Sequence, residues 1–275
     1  MKICLALVAA LLVGGCSTAR TLYDNADVYL KWRIAGLLAL DEAEETELAG
    51  RVADFMAWHR TRALPQYAAI TDEAARRLAR GLSQEDLVWG YDAALAQGRQ
   101  SARAAAERIA PLLDRLTPAQ IAHLEREFAD DNRKFAQKYL RGDEAERRRR
   151  RVERNVERLE DWVGGLSEAQ IERVALYSRR APLLEEMRSR DRQRLQAELV
   201  AIVRARESRR RLPEAAAHWE RGREAAYALA YEASRREYSA MLLDIDRSLS
   251  PEQRARAVQA LQRWAENFRV LARRQ

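Results

Sequence analysis

Histidine, cysteine and paired carboxylates would carry any chemistry in this chain, and they are sparse. His59, His123 and His218 fall in separate segments. Glu214 stands one helical turn before His218, and Asp130-Asp131 lie two turns beyond His123, spacings at which a carboxylate and an imidazole could share a proton or a metal ion. In a chain that is 33% charged, such juxtapositions also arise by chance. His-Glu-x-x-His, a paired cysteine motif, a Gly-rich loop after a strand and a Gly-x-Ser-x-Gly elbow are all absent. The expectation is a protein that is not an enzyme and that uses neither a metal nor another cofactor. The densest group of unusual side chains is Ala57-Trp58-His59-Arg60, followed by Leu64-Pro65-Gln66-Tyr67-Ala68. Trp58, His59, Arg60 and Tyr67 could line a ligand pocket, although Trp and His at a helix end before a proline more often pack against each other.

One thiol has a context of its own. Val13-Gly14-Gly15-Cys16 follows an apolar run from Ile3 to Val13 and resembles a bacterial lipobox, in which the cysteine is acylated before the leader is removed. The run is too short to span a bilayer, which takes about 20 apolar residues, and a charged Met1-Lys2 precedes it. Residues 1–15 are therefore expected to be a signal peptide, with 16–36 a lipidated N-terminus and lead-in and 37–275 a helical domain. Cys16 would carry diacylglycerol and a further acyl chain such as palmitate. Ser17 is not the aspartate that resembles an inner-membrane retention signal, so the expected location is the outer membrane, facing the periplasm. Cys4 would leave with the leader and lipid would consume Cys16, so an oxidising compartment finds no thiol to pair.

Without the leader 260 residues remain, enough to bury roughly three quarters of the unfolded surface without metal or disulfide staples. Hydrophobic residues at 47%, with eleven Gly and six Pro, describe a globular chain poor in the turns that an all-β fold needs. The net charge of +7 is carried almost wholly by Arg, Lys occurring only at positions 2, 31, 134 and 138. Export removes nucleic acid as a partner. It leaves lipid phosphates and acidic cell-wall groups as candidates for a basic face, or no partner at all if the arginines reflect a GC-rich genome. The run Arg147 to Arg151 has Glu144, Glu146, Glu153 and Glu157 at helical pairing distance, which predicts a solvated face, with docking to anionic head groups as the functional alternative.

Five segments share a helix-start signature: Leu40-Asp41-Glu42-Ala43-Glu44, Leu82-Ser83-Gln84-Glu85-Asp86, Leu116-Thr117-Pro118-Ala119-Gln120, Leu166-Ser167-Glu168-Ala169-Gln170 and Leu249-Ser250-Pro251-Glu252-Gln253. Each predicts a capping box, with Leu as the staple and with Pro118 and Pro251 at the first helical position. Apolar residues then recur at threes and fours: Leu48, Val52, Phe55 and His59; Ile121, Leu124, Phe128 and Phe135; Val152, Val156, Leu159 and Val163; Leu184, Met187, Leu195, Leu199 and Ile202; Val258, Leu261, Ala265 and Phe268. Breaks are expected at Leu64-Pro65, Ala110-Pro111, Gly164-Gly165, Ala181-Pro182 and Leu212-Pro213. No run alternates with period two. The predicted fold is all-α, a multi-helix bundle of antiparallel hairpins that could be elongated.

The Trp58-His59-Arg60 and Leu64-Pro65-x-Tyr67 pattern, with Tyr23, Asp27 and Trp32 ahead of it, resembles an uncharacterised family of Gram-negative lipoproteins of unknown function. The resemblance implies a helical envelope lipoprotein with no assigned activity. Leu116 to Gln120, and less closely Leu166 to Gln170 and Leu249 to Gln253, resemble the Leu-Thr-x-x-Gln motif of periplasmic chaperones of the Spy and CpxP type, helical cradles that bind unfolded clients. The leading expectation is a non-catalytic binding or scaffold protein, anchored to the membrane through its lipid and facing envelope proteins or anionic envelope components. A client-binding chaperone or envelope-stress protein is the alternative.

Overall fold

The computed structural model describes residues 16–274, and these are helical almost throughout, with no strand among them. The expected leader over 1–15 lies outside the described residues. The helices are α1 (Cys16–Asp24), α2 (Ala26–Leu38), α3 (Glu42–Trp58), α4 (Leu64–Ala79), α5 (Gln84–Leu113), α6 (Pro118–Tyr139), α7 (Glu144–Val163), α8 (Glu168–Arg180), α9 (Glu185–Arg204), α10 (Ser208–Ala217), α11 (Ala225–Ser248) and α12 (Pro251–Ala272). A single π-helical stretch, His59–Ala63, joins α3 to α4. The predicted all-α bundle is what the chain forms.

All five capping boxes close. The side chains of Asp41, Ser83, Thr117, Ser167 and Ser250 accept from the amides of Glu44, Asp86, Gln120, Gln170 and Gln253, whose own side chains reach back to the cap amides. Each box meets two of the orphan amides of a helix start. Two pairs of boxes also touch. Gln120 donates from Nε2 to Glu44 Oε2 at 2.6 Å, tying the start of α6 to that of α3. The carboxamides of Gln170 and Gln253 bond each other reciprocally, Nε2 to Oε1 at 3.0 and 3.1 Å, and so join the starts of α8 and α12.

Three apolar clusters lie between the helices. The first gathers Tyr23, Leu30, Leu48, Val52, Phe55, Met56, Leu64 and Leu112 with Leu271. The second takes Leu38, Leu113, Leu116, Ile121, Leu124, Val200 and Val203, and the third is built on Val174, Met241 and Ile245 with Val152, Val156 and Leu159 against them. The 30-residue α5, about 45 Å long, packs against α3, α4, α10 and α11. Residues expected to form a lead-in are helical and belong to the same body: Tyr23, Ala26 and Leu30 sit in the first cluster, and α1 packs on α12.

Three expectations need correction. Chain breaks occur at Gly164-Gly165 and Ala181-Pro182, but Pro65, Pro111 and Pro213 lie within helices. At Pro65 the π turn resolves the conflict: Leu64 N–H bonds His59 O five residues back, which shifts the ladder just where the proline supplies no donor. Pro111 falls in the last turn of α5, and Pro213 gives up one ladder bond in the short α10. On α12 the buried positions are Ala257, Ala260, Ala265, Asn267 and Leu271, so the expected stripe is displaced by a residue over its first half. The cause is the closeness of α4 and α12, which meet through small side chains, with Ala68 and Ala75 buried on α4.

The arginine run is also no solvated face. Arg151 is 7% exposed and forks from Nη1 to Ala181 O at 3.1 Å and from Nη2 to Pro182 O at 2.9 Å. Arg148 donates to the carbonyls of Ser178, Arg179 and Ala181, Arg147 pairs with Glu186 at 2.9 Å, and Arg150 pairs with Glu146 at 3.1 Å. The run clasps the C-terminus of α8, where orphan carbonyls and the helix dipole both favour cations. Arg149 alone of the five is exposed.

Candidate functional site

The Trp58, His59 and Tyr67 group converges with residues from distant parts of the chain. The π turn swings His59 toward α1, where Tyr23 Oη lies 2.9 Å from His59 Nδ1. Rings continue around it: Phe55 at 5.7 Å from His59 between centroids, Trp58 at 6.4 Å and Tyr67 edge-on at 5.5 Å. Tyr67 then meets Phe268 of α12 at 5.7 Å, and Phe268 meets Trp264 at 5.8 Å. Tyr67 Oη bonds Ser101 Oγ on α5 at 2.9 Å. The Arg108 guanidinium covers Trp58 at 5.7 Å from the ring centroid, within cation–π range.

The electrostatics of the group suit a neutral imidazole. Burial, aided by the nearby Arg60, brings the His59 pKa down to about 4. Burial likewise pushes the Tyr23 hydroxyl far above the usual range for a phenol, so the Tyr23–His59 bond joins two neutral groups. Among the described residues no carboxylate pairs with His59 to orient it as a general base. Both tyrosine hydroxyls are engaged in joining helices. Arg60 is half-buried and makes no ion pair among the described residues, while Trp58 and Tyr67 are half-buried rather than sealed.

Of the other sequence candidates, the structure brings Glu214 and His218 together and ties His123 and Asp131 to other partners. His123 on α6 bonds Gly36 O of α2 through Nε2 at 2.9 Å, and Asp131 is engaged by Arg33 at 3.1 Å. Glu214 does stand 3.3 Å from His218, but it also pairs with Arg103 and Arg221, so the couple belongs to a surface ion-pair network. No group of three potential metal ligands occurs among the described residues. Near the aromatic cluster, a shallow cleft of about 370 Å³ is lined by Pro65, Ala68, Ala69, Asp72, Arg269, Ala272 and Arg273. Its carboxylate, Asp72, pairs with Arg269 of the same lining, and no imidazole lines it.

Ser101, Arg108 and Trp264 complete the cluster without any signal in the sequence, together with Phe268, which the apolar period marked only as a stripe residue. They enter through packing of α5 and α12, and no local spacing relates them to His59. Cys16 opens α1, one turn before the first residue of that helix with a described side-chain contact, Arg20.

The profile of DUF6279, a family of unknown function, matches residues 37–220, a span that contains Trp58, His59, Arg60 and Tyr67 and begins after Cys16, Tyr23 and Trp32. No curated protein and no solved structure matches the chain.

Proposed function

We propose, for a chain that belongs to the DUF6279 family of unknown function, a non-catalytic binding or scaffold role in the cell envelope, with the helical body held to the periplasmic face of the outer membrane by acyl chains on Cys16. The observation that carries this reading is Val13-Gly14-Gly15-Cys16 after the apolar run from Ile3 to Val13, with Ser17 next in place of an aspartate. Two features of the body support it. No helix among the described residues is long and apolar enough to cross a membrane, so attachment through lipid would be the means of staying on one. The polar groups of the aromatic cluster also spend their hydrogen bonds on joining helices, and charged side chains elsewhere pair extensively along and between helices. Such a surface suits polar contact with other envelope components better than generic capture of apolar segments.

Intact-mass measurement of the membrane-extracted full chain tests the anchor. The expected species begins at a diacylglyceryl-modified Cys16, and Cys16→Ser releases the protein from the membrane. A membrane-bound species that retains residues 1–15 and is unaffected by Cys16→Ser would refute the reading.

A further inference from the structure

The first two helices carry two faces. Asn25 sits between them with its amide bonded to Thr21 O and its carbonyl accepting from Tyr29 N, so the helical ladder runs on from α1 into α2. On one side Tyr23, Ala26 and Leu30 enter the core. On the opposite side Leu22, Asn25, Tyr29, Trp32 and Gly36 follow one another at threes and fours with Val28 beside them, and at about 100° per residue this arc points away from the core. Leu22 is 48% exposed, Val28 57%, Tyr29 53% and Trp32 69%; the other exposed large hydrophobics among the described residues are Val88 on α5, Ile171 on α8, and Leu229 and Tyr238 nine residues apart on α11. The Tyr29 and Trp32 rings lie 6.0 Å apart.

This helix pair is fixed to the body. Arg20 Nε donates to Asn267 Oδ1 at 2.8 Å, Tyr23 holds His59, Asp24 pairs with Arg274, and Arg33 pairs with Asp131 at 3.1 Å. Cys16 begins the same helix, so no slack chain separates an acyl group there from the folded protein. Along the axis Leu22 lies about 9 Å from Cys16 and Trp32 about 24 Å. Lipid at Cys16 therefore keeps the bilayer within reach of the arc at all times, and the two meet when the helix pair lies flat.

We propose that the outer face of α1 and α2, formed by Leu22, Val28, Tyr29 and Trp32, docks into the head-group layer of the membrane and so fixes which side of the body faces the periplasm. The proposal rests on the lipid-anchor reading above. Tyr and Trp, apolar rings with polar tips, are the side chains that settle at the boundary between hydrocarbon and water, and an amphipathic helix there buries its apolar face about 5–10 Å. Lys31 sits on the flank of the arc, with its ammonium 3.1 Å from Asp27, where a long cationic side chain can reach toward head-group phosphates.

The test uses the lipidated full-length protein bearing Trp32→Cys, whose new thiol is the one available for labelling once Cys4 is cleaved and Cys16 acylated. An environment-sensitive fluorophore is attached there, and at Leu229→Cys on α11 as a reference, Leu229 being 73% exposed. In vesicles of phosphatidylethanolamine and phosphatidylglycerol, the probe at position 32 should shift to the blue, lose several-fold in quenching by aqueous iodide and gain quenching from lipid-borne nitroxide. The probe at 229 should remain aqueous. Equal iodide access at both positions in vesicle-bound, diacylglyceryl-modified protein overturns the docking and leaves the anchor standing. Absence of the diacylglyceryl mass on Cys16 overturns the anchor itself. Protection of position 32 in lipid-free protein that sediments as a dimer makes a second copy the occupant and also overturns the proposal.

Discussion

Acid should unfold this protein through His59 in a way that can be calculated. The imidazole is neutral in the folded chain, bonds Tyr23, feels the Arg60 charge and sits half-buried among Phe55, Trp58 and Tyr67. Its pKa falls from 6.5 to about 4 on folding, so below pH 6.5 the unfolded chain takes up a proton that the folded chain refuses. Stability is whole above that pH and is lost as pH falls toward the folded value. The loss from this residue is near zero at about pH 7, about 2 kcal/mol at about pH 5, and levels off near 3 kcal/mol below pH 4. Carboxylates titrate in the same range, and a variant removes them from the comparison. His59→Gln keeps a hydrogen-bonding partner for the Tyr23 hydroxyl and cannot titrate. Urea denaturation of the soluble chain from residue 17 onward, at about pH 7 and about pH 5, should show the parent losing about 2 kcal/mol more than His59→Gln. Equal losses in the two proteins would mean that the ring is solvated and the cluster open, and the reasoning would fail.

Removing the fork that closes α8 should cost more than an ordinary surface change: Arg151→Ala leaves the carbonyl of Pro182 without its donor and that of Ala181 with Arg148 alone and should destabilise by about 2 kcal/mol in urea, and Arg151→Lys should restore less than half of that because an ammonium cannot fork. Tyr67→Phe should lower stability by about 1 kcal/mol through the lost bond to buried Ser101, and Tyr67→Ala by about 3 kcal/mol; unchanged melting with lost binding of an envelope component would instead mark Tyr67 as a contact residue. The soluble chain should not suppress aggregation of a model client at equal molar ratio, followed by light scattering. Suppression that survives high salt would favour the chaperone reading, since salt screens the basic faces and spares apolar contacts.

Much of the fold was legible because its helix starts are written locally. Asp41, Ser83, Thr117, Ser167 and Ser250 each carry their partner three residues on, and a sixth start at Asp143 uses the same spacing with Glu146. The prolines misled because the expectation treated each as a stop. A π turn can absorb Pro65, and a last turn can absorb Pro111. The α4–α12 contact was hard to see because alanine contributes little to an apolar period, while the larger Val258, Leu261 and Phe268 flank the contact and drew the stripe toward themselves. The arginine run was misjudged for a different reason: its partners are backbone carbonyls about 30 residues later, which no charge pattern reveals. Trp58, His59 and Tyr67 stood out as a group. Ser101 and Phe268 could not, since only folding relates them to it.

The reciprocal carboxamide pair of Gln170 and Gln253 gives the protein a latch that couples two helix starts. Each Oε1 already serves the cap amide of its own helix, Ser167 N or Ser250 N, and each Nε2 also serves a carbonyl, Ser248 O or Gly165 O. Turning one amide by half a revolution would set oxygen against oxygen across the pair, and turning both would leave the two cap amides facing nitrogen and the two carbonyls facing oxygen, so a single arrangement satisfies the whole set. Two helix starts 83 residues apart in sequence are thereby made to fray together or not at all. Backbone amides at the beginnings of α8 and α12 should exchange with solvent at one common rate, and the first opening of this end of the molecule would be a single event shared by both helices.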